Sequence, residues 1–180
     1  HRGFKLASGI TGGGTGHRAD IKVVDDPHKV AETESDTKRE EANYWFAETY
    51  PTRNTSDETA SIVIMQRIHE RDVSGIILVS ELGYDHLCLP MEYEPDHPHP
   101  SSTSLGFEDP RTELGELLWP DRFSQAEVED LKKAMRTIGG SYAEAGQLQQ
   151  RPSPRGGGLF RRDDFRMVDR PPKDRDVVMR

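Results

Sequence analysis

Asp25 and Asp26 close the run VVDDP, two adjacent carboxylates directly after β-branched residues and directly before a proline. An acid at the end of a buried strand lies at the carboxyl edge of a parallel sheet, where α/β proteins hold their ligands. In nucleotide hydrolases such an acid holds the magnesium that bridges the phosphates. Successive strand residues point to opposite faces, so both acids reach one metal only if the backbone turns there. Pro27 favours leaving the strand at that point. On these residues alone a second reading stays open, in which DDP opens a solvated turn.

The preceding SGITGGGTGHRAD is rich in glycine, but a phosphate-binding loop of the form G-x-x-x-x-G-K-[ST] needs a lysine and a hydroxyl where this chain has His17 and Arg18. The glycines therefore serve a tight backbone turn ahead of the strand. Arg18 is a candidate phosphate contact, with a salt bridge to Asp20 as its alternative. Gln66 and Arg67 follow a second apolar run, SIVIM. Arg67 can belong to a surface charge cluster with Glu70 and Arg71, and Asp72 can cap the next helix. His97 and His99, set between prolines, have no acid or cysteine at a recognised ligand spacing and are read as solvated.

The elements that must position these groups follow from the hydrophobic pattern. Residues 21–24 and 61–66 are apolar enough for buried parallel strands. Between them Ala42, Trp45, Phe46 and Thr49 recur at helical spacing, Thr33 and Asp36 have capping-box spacing, and Pro51 stops the pattern. Asp72 starts a second helix ending near Gly83, and residues 86–89 are read as a third strand. Strand, helix, strand, helix, strand is an α/β pattern. Residues 90–110 form a Pro/His/Ser-rich loop. Ser124 and Glu127 then form a capping box for a helix that Gly139 and Gly140 stop. A short helix from Ser141 precedes the linker-like PSPRGGG.

Composition narrows the classes. With 33% hydrophobic and 31% charged residues in 180, a modest core is expected. Cys88 is the single cysteine, so no intrachain disulfide forms and a reducing cytoplasm fits. No run is long and apolar enough to span a bilayer. From Arg151 onward nine Arg/Lys stand against five Asp/Glu, a charge of +4, so the first 150 residues carry −12 of the total −8. The body repels phosphates and the tail attracts them. His1 at the start, and VVMR at the end read as an opening strand, make a piece of a longer chain the expectation.

In order, TGGGTGHRAD, VVDDPHK, the Trp45–Phe46 helix, Thr52–Arg53, IVIMQRIHERD, LCLP, GELLWPDRF and YAEAGQLQQRPSPRGGGLF resemble the large terminase subunit of tailed bacteriophages. The resemblance runs from about Gly9 to Phe165 and lies in the order of the segments. It implies an ATP-hydrolysing DNA-packaging motor joined to an endonuclease of RNase H-like fold. Residues 1–120 would be the carboxyl-terminal part of a P-loop-type ATPase with a mainly parallel sheet, 121–158 linker helices and connection, and 159–180 the first strand of the nuclease. The P-loop and the nuclease carboxylates would lie outside these 180 residues.

By the same resemblance, ATP and Mg2+ are the cofactors, Asp25 is the metal acid, and Asp26 falls where many terminases carry a glutamate that acts on water. Asp is shorter by about 1.5 Å. Gln66, emerging beside Asp25, would contact the γ-phosphate or its water, Arg67 would pair with phosphate or with Asp26, and Arg18 would be a nucleotide contact. Implied partners are double-stranded DNA, the portal protein of the procapsid, the small terminase subunit, and further copies in a ring. The implied setting is the bacterial host cytoplasm, with a prophage as one source. Two other functions fit the residues: a self-contained metal-dependent phosphoesterase using Asp25, Asp26, His28, His69 and Asp72, or a non-enzymatic module docking portal or DNA through its basic tail.

Overall fold

A computed structural model describes residues 3–10, 12, 16–32 and 34–153. Among them two strands, β1 (Ile21–Asp25) and β2 (Ala60–Ile64), pair in parallel with Val23 opposite Ile62 and Asp25 opposite Ile64. The connection between them is helical, as parallel strands require. It holds α1 (Asp36–Tyr44), a π-helical turn (Trp45–Thr49) and a 3-10 turn (Pro51–Arg53). Beyond β2 lie α2 (Val73–Val79) and α3 (Gln125–Ala143), the latter leading into a second π-helical turn, Glu144–Leu148. The chain is thus mixed α/β, as the pattern required.

Local chemistry explains most boundaries. Ser124 and Glu127 form the reciprocal capping box that opens α3. Asp72 caps α2, its Oδ1 accepting from Gly75 N–H at 2.8 Å. Gly140, at φ 69° and ψ −176°, breaks α3 where the paired glycines were expected to stop it. For α1 the cap is Ser35, whose hydroxyl accepts from Lys38 N–H; Thr33, expected in that role, lies outside the described residues. The expected strand at 86–89 does not form. Its one ladder-like bond runs from Cys88 N–H to the Pro100 carbonyl, and a single bond does not build a strand. VVMR and the whole of 159–180 also lie outside the described residues.

The core gathers on one face of the sheet. Val24 packs with Phe46, Tyr50, Val73 and Ile77. Phe46 and Tyr50 stack at 5.2 Å between ring centroids. Lys22, also on this face, lays its Nζ 3.8 Å from the Tyr50 ring centroid and donates to the Tyr50 carbonyl at 2.8 Å. Both bonds compensate a cation that burial disfavours. The other face carries Ile21, Val23, Ile62 and Ile64, all exposed. The sequence suggested strands buried on both faces; among the described residues only the Lys22–Val24 face is covered.

Residues 90–117 contain no helix or long strand, yet Arg111 organises them. Its buried guanidinium pairs with Asp109 at 2.7 Å and donates to the carbonyls of Pro90, Met91 and Glu116. One fixed fork thereby ties the Pro90–Met91 backbone to that of Glu116.

Candidate functional site

β1 ends at Asp25, and the ladder gains one more bond when Asp26 N–H donates to the Ile64 carbonyl at 2.9 Å. The backbone then turns sharply, with Asp26 in the left-handed region at φ 42°. Two adjacent strand residues need a bend of this kind to share one site. A non-glycine residue there costs about 1–3 kcal/mol and persists only where its surroundings hold it. The restraint comes from the segment just after β2: the Asp26 carboxylate accepts from the Gln66 backbone N–H at 3.2 Å.

Asp25 is exposed, and among the described residues no side-chain hydrogen bond or ion pair engages its carboxylate. Both acids line a cleft of about 450 Å³ whose walls include residues 8–10, Lys38, Arg39 and Trp45. That volume suits a small ligand. Lys38 pairs with Glu41 at 3.0 Å, and Arg39 with Asp36. Ser8, Gly9 and Ile10, at the start of the glycine-rich segment, line the same cleft as the acid pair.

The other expected site residues are placed differently. Gln66 is brought to the site, but beside Asp26 and through its backbone amide. Arg67 is buried, and its Nε–H donates to both Asp72 oxygens at 3.1 Å, so its charge is neutralised away from the acid pair. Arg18 is exposed and precedes the bridge between Ala19 and Asn54. That is the amino end of β1, while the acids are at its carboxyl end, with the whole strand between them.

The rival donor set for a resident metal is dispersed. His28 is buried and its Nε2 accepts from Val73 N–H at 2.9 Å, which fixes the neutral ring with its proton on Nδ1. Burial lowers its pKa, against the nearby Asp72 charge, which raises it. His69 Nδ1 accepts from Arg71 N–H. Asp72 serves Arg67 and the backbone N–H groups of Ile68, His69 and Gly75. Among the described residues no group of three or more His, Cys, Asp or Glu side chains could hold a metal ion.

That result bears on magnesium differently. Mg2+ keeps much of its water and binds through one or two carboxylates together with substrate phosphates. The open carboxylate oxygens of Asp25 offer a donor of that kind, hard oxygen. They fit a metal arriving with a nucleotide and do not fit a closed protein cage.

Two features escaped the sequence reading. Lys38 and Trp45 form part of the cleft wall, which their position on the helix after DDP could have suggested. The contact of Gln150 with Arg67, 83 residues apart, leaves no local signal.

Neither a protein-family model nor a curated protein matches the chain.

Proposed function

We propose that this chain is part of an ATP-hydrolysing DNA-packaging motor of the terminase kind, carrying the acidic end of its nucleotide site. The observation that supports this reading most is the turn at Asp26, which sets two carboxylates at the carboxyl end of a parallel strand and on the wall of a cleft.

Asp25 would hold the magnesium of the nucleotide, and the ion would supply charge neutralisation for phosphoryl transfer. Asp26 acts on the attacking water, accepting its proton or orienting it. Its position is set by the Gln66 amide, which leaves one carboxylate oxygen for that task. Arg67 contributes by fixing the loop after β2 through Asp72, and phosphate contact by its side chain is no part of the reading. Phosphate-binding residues outside this chain supply the remaining cradle, so these 180 residues alone hydrolyse no ATP. DNA, portal, small subunit and ring partners follow from the same reading.

Turnover by a complete protein carrying this segment tests it. Asp25→Asn preserves size and removes the charge, and ATP hydrolysis should fall on the order of 10²-fold, about 3 kcal/mol of transition-state stabilisation. A folded Asp25→Asn protein with undiminished turnover at saturating magnesium would leave DDP as a structural turn.

A further inference from the structure

We infer that Gln150 is a positioning residue for the acid-pair site, acting on Asp26 through the Gln66–Arg67 peptide. The inference rests on the acid-pair reading for its catalytic consequence, while the contact itself is independent of nucleotide.

Three bonds converge on two consecutive residues. Gln66 N–H donates to Asp26 Oδ1 at 3.2 Å, Arg67 N–H donates to Gln150 Oε1 at 2.9 Å, and the Arg67 side chain is held by Asp72. Gln150 is itself fixed. It is in the left-handed region at φ 54°, and its Nε2–H donates to the Gln147 carbonyl at 2.8 Å. The same turn presses on the other side of the Arg67 residue: a Cβ on Gly146 would lie 2.7 Å from the Arg67 carbonyl oxygen. The turn and its flank are tied down in turn by Gln149, whose carbonyl meets His97 Nε2 at 2.8 Å and whose side chain brackets the Glu92 backbone.

The arrangement does more than pack a helix. The Arg67 side chain is anchored by Asp72 already, so a second anchor on its backbone amide fixes the peptide orientation and with it the direction of the neighbouring Gln66 N–H. That N–H is what restrains Asp26 in an unfavourable backbone conformation. Loss of the Gln150 acceptor therefore reaches a carboxylate that Gln150 does not touch.

Residue-resolved amide hydrogen exchange on the 180-residue chain tests this without nucleotide. Gln150→Met keeps the length and removes the acceptor; Gln150→Glu keeps an Oε acceptor. In the methionine variant the Gln66 amide, not only that of Arg67, should exchange about fivefold faster, and glutamate should restore most of the protection. Accelerated Arg67 exchange with Gln66 unchanged would reduce Gln150 to local packing and overturn the inference. Should the methionine variant also lose protection at Val24 and Val63, the reciprocal variant decides: Asp26→Ala should speed Arg67 exchange, and an unchanged Arg67 rate would contradict the coupling.

Discussion

Arg67 and Asp72 form a buried ion pair, with Nε 3.1 Å from both carboxylate oxygens and the Asp72 side chain wholly removed from solvent. The same carboxylate accepts from the backbone N–H groups of Ile68, His69 and Gly75, so it binds the loop after β2 to the start of α2.

Removing it leaves a buried guanidinium and three backbone donors without a partner. Asp72→Ala should therefore cost about 3–5 kcal/mol, far beyond the roughly 1 kcal/mol of a helix cap alone. Urea unfolding followed by circular dichroism measures this. A loss within about 1 kcal/mol would show that the pair contributes no more than the cap.

Close approach of backbone to backbone makes Gly146 the second test. A Cβ there meets the Arg67 carbonyl at 2.7 Å, whereas a Cβ on Gly9 meets nothing within 4 Å. Gly146→Ala should destabilise by about 1–3 kcal/mol because a rigid carbonyl must move. Gly9→Ala should stay within about 0.5 kcal/mol. Equal effects of the two in thermal unfolding would contradict the docking of the Glu144–Leu148 turn on the Arg67 loop.

Acid should weaken the fold before the carboxylates titrate. Burial, reinforced by His99, Arg67 and His97, lowers the His86 pKa from 6.5 to about 4, and burial likewise lowers His28, His69 and His99. The unfolded chain takes up these protons first, so stability is full above about 6.5 and is lost as pH falls toward about 4. The urea midpoint should drop between pH 7 and pH 5, and His86→Gln should flatten that slope. A midpoint that rises on acidification would reverse the sign of the account.

The sequence made the parts of this structure that depend on neighbouring residues readable. The caps at Asp72 and Ser124, the break at Gly140 and the turn after Asp25 each follow from a residue and its near neighbours. What it could not show were bonds that depend on where the chain folds back on itself. Arg67 had two short-range readings, a surface cluster or a phosphate contact, and the buried geometry chose neither: its partner is Asp72, five residues on, reached because Gly75 lets the chain fold back against Glu70. A Cβ on Gly75 would lie 1.9 Å from the Glu70 carbonyl oxygen. Residues 86–89 carried strand-like composition, but strand formation needs a partner along its length, and here only Cys88 meets one. Gln149 and Gln150 hydrogen-bond to backbone through their side chains, and nothing local in the sequence names Glu92 or Arg67 as the backbone concerned.

The most direct measurement of the central claim maps a divalent cation onto the acid pair. Mn2+, a paramagnetic stand-in for Mg2+ with the same preference for oxygen donors, broadens nearby amide signals in nuclear magnetic resonance spectra of the chain. The chain is acidic overall, at −8, so weak binding elsewhere is the background against which the site is read. The account predicts that Asp25, Asp26 and Gln66 broaden at the lowest Mn2+ concentrations, and that Asp25→Asn removes this effect while leaving the weaker background unchanged. Broadening at these three residues that survives Asp25→Asn, or that begins elsewhere in the chain, would contradict it.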